Sequence, residues 1–152
     1  MKTIPIIIGF FVTAFGVHSI NKSSSTDLTD GAYFNSEVVR ISNLAKGLDF
    51  KVCGYEGFVI MCERLDLEIY RDTTGQFCKG HLACATDKIV VFETDWCDPC
   101  IVDIFFHEIG HVVLGHYGDD NKDAEVQADY FSFEVLKSLN ITARCDRRYL
   151  YD

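Results

Sequence analysis

The spacing of apolar residues divides the chain into a helical beginning, a strand-rich middle and a helical end. Apolar positions recur at helical spacing over 36–48, from about 99 to 115, and over 123–139. Between the first two helices the apolar residues form short β-type runs, bounded by glycine and polar residues. The predicted strands are 50–55, 57–62, 67–70 and 88–93, and 76–87 is predicted to be a loop. The pattern therefore predicts a small α+β domain with a twisted, mainly antiparallel sheet.

Residue types at the helix ends support these limits. Ser36 is a suitable N-cap for the first helix. Asp98 suits the N-cap of the second helix, and Pro99 suits its first turn. Gly115 is a natural stop for that helix.

The first 20 residues differ from the rest of the chain. Lys2 precedes an apolar run over 4–17, and small residues follow it. This pattern is typical of a secretory signal peptide, cut after Gly16 or Ser19. The run is short for a membrane span, which needs about 20 apolar residues, but an uncleaved anchor is the alternative. The predicted divisions are a signal peptide over 1–19 (or an anchor over 4–20), a flexible leader over 20–34, and a folded domain over 35–152.

Composition adds limits on partners. The 152 residues suggest one domain, and a hydrophobic content of 48% is enough for a compact core. The 14 basic and 23 acidic residues give a formal net charge of −9. No cluster of Lys and Arg stands out against this background, so a basic face that binds nucleic acid is not expected.

All seven cysteines lie downstream of the apolar N-terminal run. In an exported chain, this usage predicts a disulfide framework with one cysteine left unpaired. The sequence does not fix the pairing, although Cys53–Cys62 and Cys78–Cys84 are plausible local pairs. The C-terminal tail, which holds Cys145, is expected either to be tied back by a disulfide or to stay loose.

Cys97 and Cys100, at the start of the second helix, allow other interpretations. A C-x-x-C pair at a helix start is used by disulfide oxidoreductases, but no thioredoxin-like βαβ order surrounds this one. A structural zinc site formed with Cys78 and Cys84 is a further alternative, which would need a reducing compartment. The predicted export signal favours a structural disulfide that holds the start of the helix.

The second helix carries the clearest chemical motif, His107-Glu108-Ile109-Gly110-His111. Residues four apart lie only about 40° apart around a helix, so the two imidazoles can point at one ion. Two neutral imidazoles suit zinc. Glu108 lies about 60° round from His111, too far to be a good third ligand but well placed to take a proton from an attacking water. The helix is otherwise strongly apolar, so these groups would be costly to bury without a metal or partners.

A catalytic zinc site needs a third protein ligand and one open position. Glu125 and Asp129 lie four apart on one face of the third helix, so one can bind the metal and the other can accept the second N–H of a ligating histidine. His116 would point about 140° away from His111 on a continuous helix, so it could bind the metal only if the helix broke near Gly115. We expect it to be a surface or helix-end residue. Asp103 lies one turn before the motif, where we expect a solvated residue of the cleft.

Two motifs together resemble a known family. They are His107-Glu-Ile-Gly-His111-Val-Val-Leu-Gly-His116 and Glu125-x-x-Ala128-Asp129-x-Phe131, and they are similar to those of the ImmA/IrrE group of zincin-type peptidases. The resemblance covers roughly 88–137, and implies His107, His111 and Glu125 as zinc ligands with Glu108 as general base. The chain departs from the group in its export signal, its many cysteines, and the absence of a proline that often closes the second motif. The best-known members cleave transcriptional repressors inside bacteria, so that role is not carried over.

The resemblance also directs attention to substrate binding. In zincin-type folds a strand beside the motif helix pairs with the extended substrate, and 88–93 is the candidate here. A group that stabilises the oxyanion is expected as well. Tyr117, Tyr130 and His81 are the candidates, and the sequence does not choose among them.

The sequence thus predicts a zincin-type α+β domain that hydrolyses peptide bonds with one zinc ion. Glu108 would take the proton of the attacking water and pass it to the leaving amine. The expected partner is a protein or peptide substrate, and the expected location is the periplasm or the cell exterior. Two alternatives stay open: a non-catalytic zinc-binding effector or regulator with the same fold, and a disulfide-rich exported structural protein without metal.

Overall fold

The computed structural model describes residues 31–116, 122–142 and 145. These residues form four α-helices and a three-stranded sheet, which confirms the predicted α+β class. In chain order the elements are α1 (Gly31–Ala45), α2 (Glu56–Arg64), β1 (Glu68–Arg71), β2 (Ala83–Ala85), β3 (Ile89–Phe92), α3 (Ile101–Leu114) and α4 (Lys122–Ser138). The predicted signal peptide or anchor, and residues 20–30 of the predicted leader, lie outside the described residues. Within the described part of the chain, no helix has both the length and the apolar character needed to cross a membrane.

The sheet is mixed, and the prediction of a mainly antiparallel sheet is wrong. Its strand order is β1-β3-β2, with β1 parallel to β3 and β2 antiparallel to β3. β2 folds back on β3 through a short turn, in which the Thr86 amide donates to the Ile89 carbonyl at 2.8 Å. β1 lies on the other side of β3 and runs in the same direction. Apolar periodicity does not report strand direction, so the sequence pattern could not show this pairing.

The largest difference from the predicted elements is α2. The segments 50–55 and 57–62 are not strands: the first is irregular chain, and the second lies in α2. The buried side chains of α2 include Phe58, Met61 and Cys62, which follow helical spacing. A short continuous apolar run fits either a buried strand or a buried helix face, so its pattern alone does not distinguish the two.

The limits of α1 and β2 also differ from the prediction. The chain is already helical at Gly31, so the last residues of the predicted leader belong to α1. Ser36 is therefore not an N-cap. It lies inside the helix, where its hydroxyl donates to the Tyr33 carbonyl at 2.7 Å. β2 lies within the region predicted to be a loop, where three residues are too few to give a clear alternation.

The predicted strands 67–70 and 88–93 correspond to β1 and β3, and α4 lies within one residue of its predicted limits. α3 begins after Cys100 and not at Asp98, so the predicted N-cap is wrong. The Asp98 carboxylate instead accepts the amide hydrogen of Cys100 at 2.7 Å and so stabilises the turn that precedes the helix. Gly115 ends α3 as predicted, with a left-handed φ of 75°.

α3 lies at the centre of the core. Every residue from Ile101 to His111 is buried. α3 packs against α4 on one side and against β2 on another. The fully buried phenylalanines come from α2, β3, α3 and α4: Phe58, Phe92, Phe105, Phe106 and Phe131. Burial of one such side chain contributes about 1.5–3 kcal/mol, so the core holds α3 firmly in place.

Three disulfides connect six of the seven cysteines. They are Cys53–Cys97, Cys78–Cys84 and Cys100–Cys145. The predicted framework, its Cys78–Cys84 pair and the attachment of the tail through Cys145 are therefore confirmed. The suggested Cys53–Cys62 pair is wrong, because Cys62 faces the core from α2 while Cys53 joins the start of the α3 segment.

The disulfides also contradict two alternatives for Cys97 and Cys100. Each of these residues is bonded to a different distant cysteine, so they do not form a C-x-x-C redox pair. A structural zinc site with Cys78 and Cys84 is likewise wrong, because all four sulfur atoms are engaged in disulfides. What remains is a structural role: two disulfides hold the segment that leads into α3.

We expect the single thiol, that of Cys62, to resist modification in the folded protein. Burial raises its pKa to about 12, so the reactive thiolate is scarce at neutral pH, and the side chain is 1% exposed. A thiol reagent that gives a coloured product should therefore label no cysteine in native, unreduced protein and one cysteine per chain in denaturant. Rapid labelling of one thiol in the native protein would contradict this arrangement.

Candidate metal centre

The candidate site forms where α3 and α4 approach closely. Gly110 of α3 faces Ala128 of α4, and a Cβ atom built on Gly110 would lie 3.2 Å from the Ala128 Cα and 3.3 Å from its carbonyl oxygen. Two small residues thus allow the helix backbones to come together. Because His107 and His111 flank Gly110 on α3, the same approach brings carboxylates of α4 to the imidazoles. This role of Gly110 was not predicted from the sequence, although a glycine inside an apolar helix is a usable signal of close packing.

Three of the predicted site residues come together at one point. His107 Nε2 and His111 Nε2 lie 3.0 Å apart. The Glu125 carboxylate faces both rings, with its Oε2 atom 3.2 Å from His107 Nε2 and its Oε1 atom 3.3 Å from His111 Nε2. These are the three residues whose donor atoms cluster closely enough to hold a metal ion, among the described residues.

Asp129 contacts the opposite side of His107. Its Oδ1 atom lies 2.6 Å from His107 Nδ1, so Nδ1 carries a hydrogen and donates it to the carboxylate. A neutral His107 then presents the lone pair of Nε2 to the oxygen of Glu125. Two lone pairs at 3.2 Å repel each other unless a cation lies between them. A positive charge at the centre is therefore needed to stabilise this arrangement of donor atoms, and either a proton or a metal ion can supply it.

The charge of Glu125 suits this position. When the positive charge at the centre is a proton, hydrogen bonds from His107, and then from His111, hold the pKa of Glu125 well below its usual range, against the opposing effect of partial burial. The carboxylate is therefore ionised at neutral pH. Two imidazoles and one carboxylate form a donor set that zinc uses in catalytic sites, with a fourth position left for water or substrate.

Glu108 and Asp103 are buried beside this cluster but are not part of it. Glu108 is 6% exposed, and its carboxylate is not among the converging donor atoms. Asp103 is also 6% exposed, so the prediction of a solvated cleft residue is wrong. The reason is that α4 covers this face of α3, where the Ser132 hydroxyl donates to the Asp103 backbone carbonyl at 3.0 Å. A lone helical pattern could not show which face α4 would cover.

His116 lies against the site although it follows the end of α3. The left-handed Gly115 reverses the chain, and the His116 amide donates to the His111 carbonyl at 2.9 Å. The ring of His116 then packs edge-on against that of His111, with the centroids 5.8 Å apart. His116 is outside the converging donor set, as expected for a helix-end residue, yet it contacts a member of that set.

The residues predicted to stabilise the oxyanion, and the strand predicted to bind substrate, lie in different parts of the fold. Tyr130 is half exposed and stacks on Phe34 with the centroids 5.4 Å apart, and His81 lies exposed in the loop before β2. Tyr117 lies outside the described residues. The strand 88–93 is not an edge strand, because β3 pairs on both sides. In the described sheet, β2 is the edge strand that packs against α3.

Comparisons with known proteins leave the site to be judged on its own geometry. No protein-family model, curated protein or solved structure matches the chain. What the residues can do must therefore follow from the distances, burial and charges described above.

Proposed function

We propose that this protein is a zinc-dependent metallopeptidase with a zincin-type domain. His107, His111 and Glu125 would hold one zinc ion, and Glu108 would act as general base. The observation that carries the proposal is the convergence of two imidazole nitrogens and one carboxylate at separations of 3.0–3.3 Å. The similarity of the two motifs to those of the ImmA/IrrE group supports the same conclusion.

The separations fit the size of a zinc ion. Zinc bonds of about 2.0–2.2 Å at tetrahedral angles place neighbouring donor atoms roughly 3.3–3.6 Å apart. The two contacts of Glu125 are 3.2 and 3.3 Å, and the two nitrogens are 3.0 Å apart, so small adjustments suffice. Asp129 would hold His107 in the tautomer whose Nε2 lone pair points at the centre shared with His111 and Glu125.

The metal ion and Glu108 would then have separate roles in hydrolysis. Bound zinc supplies Lewis acidity, which polarises the scissile carbonyl and makes water a better nucleophile near neutral pH. Glu108 would accept the proton of the attacking water and return it to the leaving amine. Glu108 lies next to His107 on α3 and is buried, so it is held close to the proposed metal centre.

The edge strand β2 supports a peptide substrate. The Leu82 carbonyl accepts the Glu93 amide hydrogen at 2.9 Å, and the Thr86 amide donates to Ile89 at 2.8 Å. Because backbone groups alternate along an antiparallel pair, those of Ala83 and Ala85 face away from β3. Ala83 is buried, whereas Ala85 is partly exposed, so an extended peptide would add as a further strand at the Ala85 end of β2.

The proposed location follows from the cysteines. Three disulfides and one buried thiol suit an oxidising compartment, such as the periplasm or the cell exterior. The proposed signal peptide, or anchor, would deliver the domain there.

Metal removal tests the proposed function on the full chain with its disulfides formed. We expect the purified protein to contain a single zinc ion and to cleave members of a mixed peptide library. Treatment with a zinc chelator should abolish cleavage, and added zinc should restore it. Zinc without cleavage would favour the non-catalytic zinc-binding protein, and a chain that binds no zinc would favour the structural disulfide protein.

A further inference from the structure

The two histidines of the candidate centre are held in different ways. The Nδ1 atom of His107 donates to the Asp129 carboxylate at 2.6 Å, which fixes the orientation of that ring. The contacts of His111 with His107 and Glu125 both go through Nε2, the atom that would bind the metal. Neither of these contacts involves the far side of the His111 ring, so a neighbouring side chain that packs against the ring would add to the restraint on its rotation.

The ring of His116 provides such a contact. It meets His111 edge-on at a centroid distance of 5.8 Å and an angle of 71° between the planes. His107 meets His111 in a similar way at 4.7 Å and 77°, on the side of the metal-binding atoms. Edge-to-face packing is a favoured geometry for rings, and it restricts rotation of the ring that is contacted.

The end of α3 is built to place His116 there. The His116 amide bonds to the His111 carbonyl at 2.9 Å, and the Gly115 amide bonds to the Val112 carbonyl at 3.3 Å. This is the Schellman arrangement, with glycine in the left-handed position. The next carbonyl, that of Val113, accepts a hydrogen bond from the Tyr33 hydroxyl of α1 at 2.8 Å. Backbone bonds and a side chain of α1 thus fix the turn that carries His116.

We propose that His116 is a positioning residue for His111. Its ring would keep the His111 imidazole turned so that Nε2 points at the centre shared with His107 and Glu125. The inference rests on the proposed zinc site, and it adds a residue that the converging donor set does not include. It needs no change of charge at His116, only the presence of a flat ring after the helix end.

Three variants of the full chain separate this role from other effects. His116→Ala removes the ring, but keeps Gly115 and the backbone bonds of the turn. His116→Phe keeps a flat ring and removes the nitrogens. Phe77→Ala is the matched control, since Phe77 also carries a flat ring but is exposed and lies outside the converging group. Zinc affinity is measured by competition with a chelator, and the visible spectrum of the cobalt-substituted protein reports the geometry of the ligands.

We expect His116→Ala to weaken zinc binding about tenfold, at the low end of the effect seen when a residue that supports a metal ligand is lost. The cobalt spectrum should change with it, whereas His116→Phe and Phe77→Ala should keep both properties close to those of the parent protein. Thermal unfolding of the metal-free variants checks that the fold is retained. A wild-type affinity and cobalt spectrum in His116→Ala would overturn the proposal, and so would an equal loss in His116→Phe. Failure of the parent protein to bind zinc would instead overturn the proposed metal centre, and the positioning role with it.

Discussion

Replacement of Glu108 by glutamine is expected to reduce peptide hydrolysis by about 10²–10⁴-fold, the usual contribution of a general base. The amide has nearly the same size and shape but cannot accept the proton of the attacking water. Because Glu108 is outside the group of converging donor atoms, zinc content should not change. The measurements are the initial rate of cleavage of a peptide identified in the library assay, and zinc per chain by elemental analysis.

A second glutamate supplies the control for this experiment. Glu134 lies on α4, outside the converging group, and interacts with Lys137. Glu134→Gln should leave both the rate and the zinc content near those of the parent protein. If Glu108→Gln cleaved the peptide at the parental rate, the assignment of Glu108 as the base would be wrong even if the zinc site were correct.

Replacement of Glu125 by alanine is expected to remove most of the bound zinc and, with it, the hydrolytic activity. The carboxylate supplies one of three protein donors and the only negative charge that faces both Nε2 atoms in the converging group. Zinc affinity should fall by more than the roughly 10–100-fold that loss of a supporting residue costs. Titration of the metal-free protein with zinc, in competition with a chelator, measures this loss.

Asp129→Asn tests whether the two carboxylates of α4 have different roles. Asp129 contacts Nδ1 of His107, the atom that faces away from the centre, so its loss should weaken zinc binding by about 10–100-fold without abolishing it. Glu134→Ala, on the same helix, should bind zinc like the parent protein. An effect of Asp129→Asn as large as that of Glu125→Ala would contradict the assignment of Glu125 as the ligand and Asp129 as its support.

Local sequence patterns were informative where the chemistry is local. His107 and His111 are four residues apart on one helix, so helical geometry alone predicts that their rings meet. Glu125 and Asp129 share a face of the next helix for the same reason. The sequence could not show which of the two faces the imidazole rings, because that depends on the position of α4 along the axis of α3. The resemblance to a family favoured Glu125, and the structure places its carboxylate at the two Nε2 atoms.

Patterns failed where the outcome depends on distant packing. The run from Gly57 to Cys62 fits a strand or a helix, and its burial against the aromatic core settles it as α2. Cys53 pairs with Cys97, 44 residues away, and no spacing rule predicts such a partner. The burial of Asp103 depends on α4 covering α3. Each of these features involves elements far apart in sequence, where local periodicity carries no information.

The close contact of α3 with α4 also has a consequence for how the chain folds. The donor groups of the candidate centre come from two helices that are neighbours in sequence, and His107 and its partner Asp129 are 22 positions apart. Closing so short a segment has a modest entropic cost, whereas the disulfides to Cys97 and Cys100 must close loops of 44 and 45 residues. Contacts between α3 and α4 join residues that are close in sequence, and such contacts form fast. The disulfides Cys53–Cys97 and Cys100–Cys145 join residues that are further apart. The candidate metal centre is therefore the part of the domain that we expect to assemble early, with the covalent links completing the fold afterwards.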